Sequence, residues 1–384
     1  MKIALDARII KPWVTGLGRY GYPLLRSLAQ IDKNNEYLIL KSPLIKHPLV
    51  EQENFKEITL EGTPEDPKNF FCHLDILDGE NIDIFHSLYH FLPRSVTAKK
   101  KVITCHDLIW MDNPFLAFES FWKGLGTKIW GSLYIGRTLR TADAVICISE
   151  ATKKAILRRY PEKKNLHIVY HGTDLIWHDA LRQATAWQAQ GERDSLSVRA
   201  ESVEASSPYF LMVGHTKPYK NAPAAIQALS ILHQRHPECH LVFVGRGDYY
   251  AKLKMLGEKL KVNEKIFFLD QVSDQDLQSL YKNTIALLQP SFTEGFGFPV
   301  VEAMKSGCPV IASNRDSLPE LLEGSGLLID PEAPRDLAIA MEKMFLDEPF
   351  QNQCRLKGLA RVSQFRWEET ARKTLQVYEN LMKK

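Results

Sequence analysis

Short apolar runs alternate with amphipathic helical patterns along the whole chain, and this alternation restricts it to parallel sheets covered by helices on both faces. In the first half the runs predict strands over 3–6, 37–40, 82–86, 102–106, 144–148 and 167–170. In the second half they predict strands over 209–213, 240–244, 266–269, 286–289 and 309–312. Between the two sets lies the stretch 191–208, polar, serine-rich and without periodicity, which reads as a linker. A length of 384 residues suits two domains of about 150 to 200 each. The expected division is 1–190, the linker, 209–365, and a terminal amphipathic helix over 366–384. Each half reads as a Rossmann-type unit, with the binding crevice expected where the strand C-termini of both halves face each other.

Composition narrows the class further. Hydrophobic residues make up 45% and charged residues 25%, enough for two soluble globular cores. A net charge of +3 is too small for the clustered basic face of a nucleic-acid binder. The six cysteines, Cys72, Cys105, Cys147, Cys239, Cys308 and Cys354, form no C-x-x-C pair and read as free thiols of a reducing cytoplasm. The first ten residues read as a buried strand rather than a signal peptide. No uncharged apolar run approaches the ~18 residues of a membrane span, so any membrane contact is expected to be peripheral.

The chemistry concentrates in residues 290–304 (PSFTEGFGFPVVEAM), where Glu294 and Glu302 stand eight residues apart across a glycine-rich turn. Pro299 suits a first helical position, because its missing N–H is no loss there. The amides of Gly295, Phe296, Gly297 and Phe298 then face outward at the positive end of the helix dipole, a site for phosphate. An acid before the turn and another inside the helix can hold hydroxylated groups on either side of that anion, which is the layout of a nucleotide sugar. An ordinary helix start with two solvated acids is the plainer reading of this motif alone.

This run resembles the E-x7-E motif of the family 4 glycosyltransferases, retaining enzymes of the GT-B fold, and the following SGCPVIAS continues the match. The resemblance extends, in order, through KIALDARII and GLGRY, TCHDL (104–108), ADAVICISEATKKAIL (142–157), VGHTKPYKN (213–221) and SDQDLQSLY (273–281). It implies an α/β GT-B fold, two Rossmann-like domains with parallel sheets facing a central crevice. It also implies that the terminal helix returns to the N-terminal domain.

Carried over residue by residue, the resemblance gives Lys220 the role of the cation beside the donor β-phosphate, where it stabilises the departing diphosphate. Many relatives pair this lysine with an arginine; here His215 and Tyr219 fill those places, and Lys217 is a partial substitute. The histidine of the His106-Asp107 pair, at the end of an apolar strand, is implied to support the anomeric centre. Glu294 is implied to hold sugar hydroxyls and Glu302 the ribose. Gly16 and Gly18 match the family's glycine loop facing the crevice, with Arg19 either a further cation or an outward salt bridge. The loop around Gly245, Arg246 and Gly247 and the segment Gln271-Val272 match stretches beside the nucleotide and its base. His86 and His171 read equally well as satisfied core groups. Asp274-Gln275-Asp276 looks like a metal-binding D-x-D, but its place in a first helical turn favours acids complementing the helix dipole.

The expected activity is transfer of a hexose, mannose favoured, from a nucleoside-diphosphate sugar to a hydroxyl of a glycan or lipid-linked saccharide, with retention and without metal or other cofactor. Two alternatives stay open at this point, a nucleotide-sugar epimerase of the same architecture and a non-catalytic binding subunit. A Rossmann dehydrogenase is disfavoured, since no strand is followed by a full G-x-G-x-x-G. Residues 115–140 combine Phe115, Phe118, Phe121, Trp122, Trp130 and Tyr134 with Lys123, Lys128, Arg137 and Arg140. That mixture suits either a helix at the inner membrane face or a core-facing helix with a solvated basic side.

Overall fold

The computed structural model describes residues 1–11, 17–117, 121–173, 207–214, 217–245, 249–270 and 272–383. Gly16, the linker as far as residue 206, Phe118, His215, Arg246, Gly247 and Gln271 lie outside the described residues. By their contacts the chain forms two compact units. The first takes in Met1–Pro114, Leu125–Thr185 and Phe365–Lys384, and the second Phe115–Gly124 and Ala186–Gln364.

The first unit is built on β1 (Lys2–Asp6), β2 (Glu36–Lys41), β3 (Phe55–Thr59), β4 (Ile84–Ser87), β5 (Lys100–Cys105), β6 (Ala144–Cys147) and β7 (Leu166–Ile168). They lie in the order β3-β2-β1-β4-β5-β6-β7, every pairing parallel. The second unit is built on β8 (Tyr209–Val213), β9 (His240–Val244), β10 (Ile266–Leu269), β11 (Ala286–Gln289), β12 (Val310–Ser313) and β13 (Leu327–Ile329). Here the order is β10-β9-β8-β11-β12-β13, again all parallel.

Central strands such as β1 and β11 are apolar and buried because helices cover both faces. In the second unit, helices Ala222–Leu232 and Pro334–Leu346 pack together and bury Ile226, Leu229 and Met341 against Phe210, Leu241 and Phe243. Each such side chain contributes roughly 1.5–3 kcal/mol by leaving water. In the first unit, helices Gly18–Ile31 and Trp367–Met382 pack on each other. The Tyr378 hydroxyl of the latter reaches His86 Nδ1 at 2.5 Å, and Thr370 Oγ1 donates to the Tyr170 carbonyl at 2.8 Å.

Both strands absent from the sequence reading, β3 and β13, are sheet edges. Each is only partly buried; Lys56 and Glu57 interrupt β3, and β13 is an apolar run of only three residues, too short to mark a strand by itself. In both sheets the order reverses once, between β1 and β4 and between β8 and β11. A doubly wound sheet opens a crevice at the C-terminal ends of such strands.

At the first reversal, β1 ends in Asp6. Its carboxylate receives Arg8 Nε at 2.8 Å and Nη2 at 2.7 Å, a bidentate pair with both partners almost wholly buried. Removing one partner strands the other charge, so Asp6→Ala is expected to cost about 3–5 kcal/mol, whereas the double variant Asp6→Leu/Arg8→Met should recover most of the loss. Chemical denaturation of the two variants checks this.

Candidate active site

At the strand-order reversal of the second unit Lys220 meets Glu294, while Glu302 lies inside the helix that follows and meets Tyr281 instead. β8 leads to Gly214 and β9 to Gly245, whose backbones touch: a Cβ on Gly245 would stand 2.4 Å from the Gly214 carbonyl oxygen. Gly245 also has φ +134°, so packing and backbone conformation both demand glycine there. A single turn, Pro218–Lys220, follows, and Asn221 in the left-handed region (φ 56°) redirects the chain into helix Ala222–Leu232. Asn221 Nδ2 fixes this corner by donating to the carbonyls of Pro290 at 3.1 Å and Pro331 at 2.8 Å. The Phe292 amide donates to the Tyr219 carbonyl at 2.8 Å, which ties the lysine corner to the glutamate turn.

Lys220 Nζ accordingly donates to Glu294 Oε1 at 2.6 Å. The same oxygen accepts from Gln289 Nε2 at 2.5 Å and Ser291 Oγ at 2.7 Å. The turn itself is anchored from the loop after β12. Asp316 Oδ2 accepts from Thr293 Oγ1 at 2.5 Å and from the Glu294 amide at 3.1 Å, and the Ser317 hydroxyl bonds to the carbonyls of Glu294 and Phe296.

The helix opens one residue earlier than the sequence suggests, at Phe298, with Pro299 second. Gly297 (φ +113°) precedes it, against Leu318, because only a left-handed residue makes the turn there. Phe296 and Gly297 are buried, while Gly295 and Phe298 are partly exposed. Glu302 is buried inside that helix and accepts a hydrogen bond from the Tyr281 hydroxyl at 3.1 Å. Val272 sits, partly buried, before helix Asp274–Asn283. At the start of that helix Ser273 and Asp276 form a capping box, so the Asp276 carboxylate bonds the helix N-terminus. Among the described residues no group of three or more His, Cys, Asp or Glu side chains could hold a metal.

The first unit gathers Gly18 and His106. Gly18 is buried at the start of helix Gly18–Ile31, and His106 follows β5 directly. His106 Nε2 donates to the Leu88 carbonyl at 3.0 Å, which leaves Nδ1 as the unprotonated ring nitrogen. Its ring meets Tyr20 edge-on at 4.9 Å and lies 5.5 Å from His171. The partner Asp107 accepts from the Ile109 amide at 2.9 Å, just ahead of the short helix Ile109–Asp112. His86 is a satisfied core group, bonded through Nε2 to Thr104 Oγ1 at 2.9 Å and through Nδ1 to Tyr378.

Burial lowers the His106 pKa to about 4 despite the Leu88 carbonyl, and lowers His86 to about 3, with His106 adding to the effect. Burial likewise holds His90 and His171 well below the ordinary value. The imidazole at the end of β5 is therefore a neutral, polarisable group at physiological pH. Sequence reasoning missed Gln289, Ser291, Asp316, Ser317 and Tyr281. Gln289 alone carried a signal, as an amide closing an apolar strand.

Two family models divide the chain between them. Glycosyltransferase Family 4 matches residues 15–176, and Glycosyl transferases group 1 matches residues 196–361. Over 407 aligned residues the chain is 27% identical to the O-antigen chain mannosyltransferase B of Escherichia coli, with 99% of this chain and 100% of that protein covered. Its fold is similar to that of the sucrose-phosphate synthase (tll1590) from Thermosynechococcus elongatus, with a TM-score of 0.72 at 21% identity, covering 100% of this chain and 99% of the other. It is also similar to Anabaena Alr3699/HepE, solved in complex with UDP and glucose, with a TM-score of 0.66 at 18% identity over 100% of both chains. Architecture and matches together define a glycosyltransferase of the GT-B fold. The chain belongs to the group 1, family 4 glycosyltransferases.

The histidine cluster sets a pH dependence of stability. Each ring binds a proton more readily in the unfolded chain, near pH 6.5, than in the fold. The contribution is complete above about pH 6.5 and declines as the pH falls, by at most about 1.4 kcal/mol per pH unit for each histidine. Urea denaturation at pH 7 and pH 5 is expected to show a clear loss at pH 5, and His90→Phe should flatten the slope by about one histidine's share.

Proposed function

We propose that the protein is a retaining mannosyltransferase that takes mannose from a nucleoside-diphosphate donor, GDP-mannose favoured, and passes it to a hydroxyl of a glycan or lipid-linked saccharide. The convergence of Lys220 on Glu294 beside the glycine-rich turn at the β8/β11 reversal carries this reading. An ammonium in contact with a buried acid just before a glycine-rich helix start suits a sugar joined to a diphosphate.

Lys220 and the turn amides meet the charge that develops on the leaving diphosphate. Glu294 holds hydroxyls of the transferred sugar, and Glu302, inside the helix, holds the ribose. His106, neutral, supports the cationic anomeric centre through its ring and lone pair. The acceptor attacks on the face the diphosphate leaves, and the leaving phosphate oxygen takes the acceptor proton, so no side-chain base or metal enters this reading. The mannosyltransferase among the sequence relatives favours mannose, and the structural relative bound to UDP and glucose favours a nucleoside-diphosphate sugar as donor.

Calorimetry with GDP, UDP, ADP and dTDP, followed by turnover of the matching sugar nucleotides, tests the proposal. Preference for GDP with turnover of GDP-mannose is the expected result; preference for UDP would move the donor to a UDP-hexose, and no nucleotide binding would overturn the reading. Lys220→Ala and Glu294→Ala should each lose about 10²–10³ in rate while staying folded.

Peripheral membrane contact through residues 115–140 belongs to the same proposal. The segment divides in two: Phe115, Phe121 and Trp122 are exposed, with Phe115 stacked on Phe121, whereas Tyr134 is buried and Trp130 packs against Phe70. Helix Phe121–Thr141 carries Lys123 and Lys128 near the exposed aromatics and no acid, which suits an anionic bilayer surface, whereas Arg137 turns inward onto the carbonyls of Phe70, Leu92 and Pro93. The protein is expected to sediment with anionic liposomes and to lose that binding on charge reversal at Lys123 and Lys128. A wild-type protein that ignores such liposomes would refute this contact.

A further inference from the structure

We infer that Gln289 and Ser291 are positioning residues that keep Glu294 aimed at the donor sugar when Lys220 turns to the diphosphate. The inference rests on the reading of Glu294 as the group that holds the transferred sugar.

One ammonium stands to serve two anions. Lys220 Nζ lies 2.6 Å from Glu294 Oε1, so a bound diphosphate competes directly with the carboxylate for that cation. If Lys220 alone held Glu294, engaging the phosphate would release the carboxylate at the moment its aim matters most. Two neutral donors prevent this. Gln289 closes β11 and Ser291 follows two residues later, both buried. Gln289 Nε2 donates to Ser291 Oγ at 3.0 Å and to Glu294 Oε1 at 2.5 Å, and the Ser291 hydroxyl donates to the same Oε1 at 2.7 Å.

Uncharged and fixed to a strand end, these groups are not drawn away by phosphate as an ammonium is. All three donors fall on Oε1, so the carboxylate is oriented with Oε2 as its other acceptor edge, the edge suited to a sugar hydroxyl. Hydrogen bonds to a charged group are also roughly twice as strong as neutral ones, which makes this pair of donors sufficient to hold the rotamer.

The test uses Ser291→Ala and Gln289→Met in the full chain, the second keeping side-chain length without a donor. Thermal midpoint, affinity for free GDP and UDP, and donor kcat and KM are measured for each. The expected result is a fall in kcat of about tenfold or more, with donor KM and nucleoside-diphosphate affinity within about threefold of wild type and the thermal midpoint kept. A purely structural role would weaken nucleotide binding and turnover together, and that outcome overturns the inference. So does wild-type kcat in both variants. A wild-type protein that binds neither nucleotide fails earlier, and overturns the proposed function along with the inference.

Discussion

A parallel sheet buried on both faces leaves its strand ends as the place for polar chemistry, because every residue between them faces a helix. In this chain the constraint operates twice. β1 ends in the buried pair of Asp6 with Arg8, and His106 follows β5, while in the second unit β8 and β11 end in the turns that carry Lys220 and Glu294. The strand-order reversal then selects which ends stand apart enough for a ligand to enter. Sheet pairing therefore fixes the chemistry more than any single side chain does.

The electrostatics of the two units differ in kind. In the second unit the positive charge is carried by a lysine on a corner that Asn221 holds and is paired with Glu294, which is tied down in turn by Gln289 and Ser291 and, through its backbone, by Asp316. In the first unit burial keeps the imidazoles uncharged, and hydrogen bonds to the Leu88 carbonyl, Thr104 and Tyr378 set the orientation of two of them.

Much of this was legible in the sequence where the signal was local. Strands β8, β9 and β11 fall where the apolar runs put them, since central strands must be apolar throughout, and the edge strand β10 (IFFL) is legible because its sequence is apolar all the same. The edge strands β3 and β13 were not legible, because Lys56 and Glu57 interrupt the run of β3 and the apolar run of β13 is only three residues long. Glu294, Glu302 and Lys220 stood out because each adjoins a glycine- or proline-marked turn. Asp316 and Ser317 did not: they lie 22 and 23 residues beyond Glu294, and only the pairing of β11 with β12 brings their loop to the turn. Tyr281 was hidden likewise, a helical aromatic whose ring reads as core and whose hydroxyl alone meets Glu302.

The first unit is interrupted in sequence by the second and completed only by Phe365–Lys384. His86 and Tyr378, in direct contact, are separated by 292 residues. During synthesis the second unit can close as soon as it leaves the ribosome, whereas the apolar face of helix Gly18–Ile31 stays uncovered for the tens of seconds that translation of those residues takes, at roughly 5–20 residues per second. The first unit therefore stays unfinished until the end of synthesis, and demand for chaperones should concentrate in that interval and on that helix.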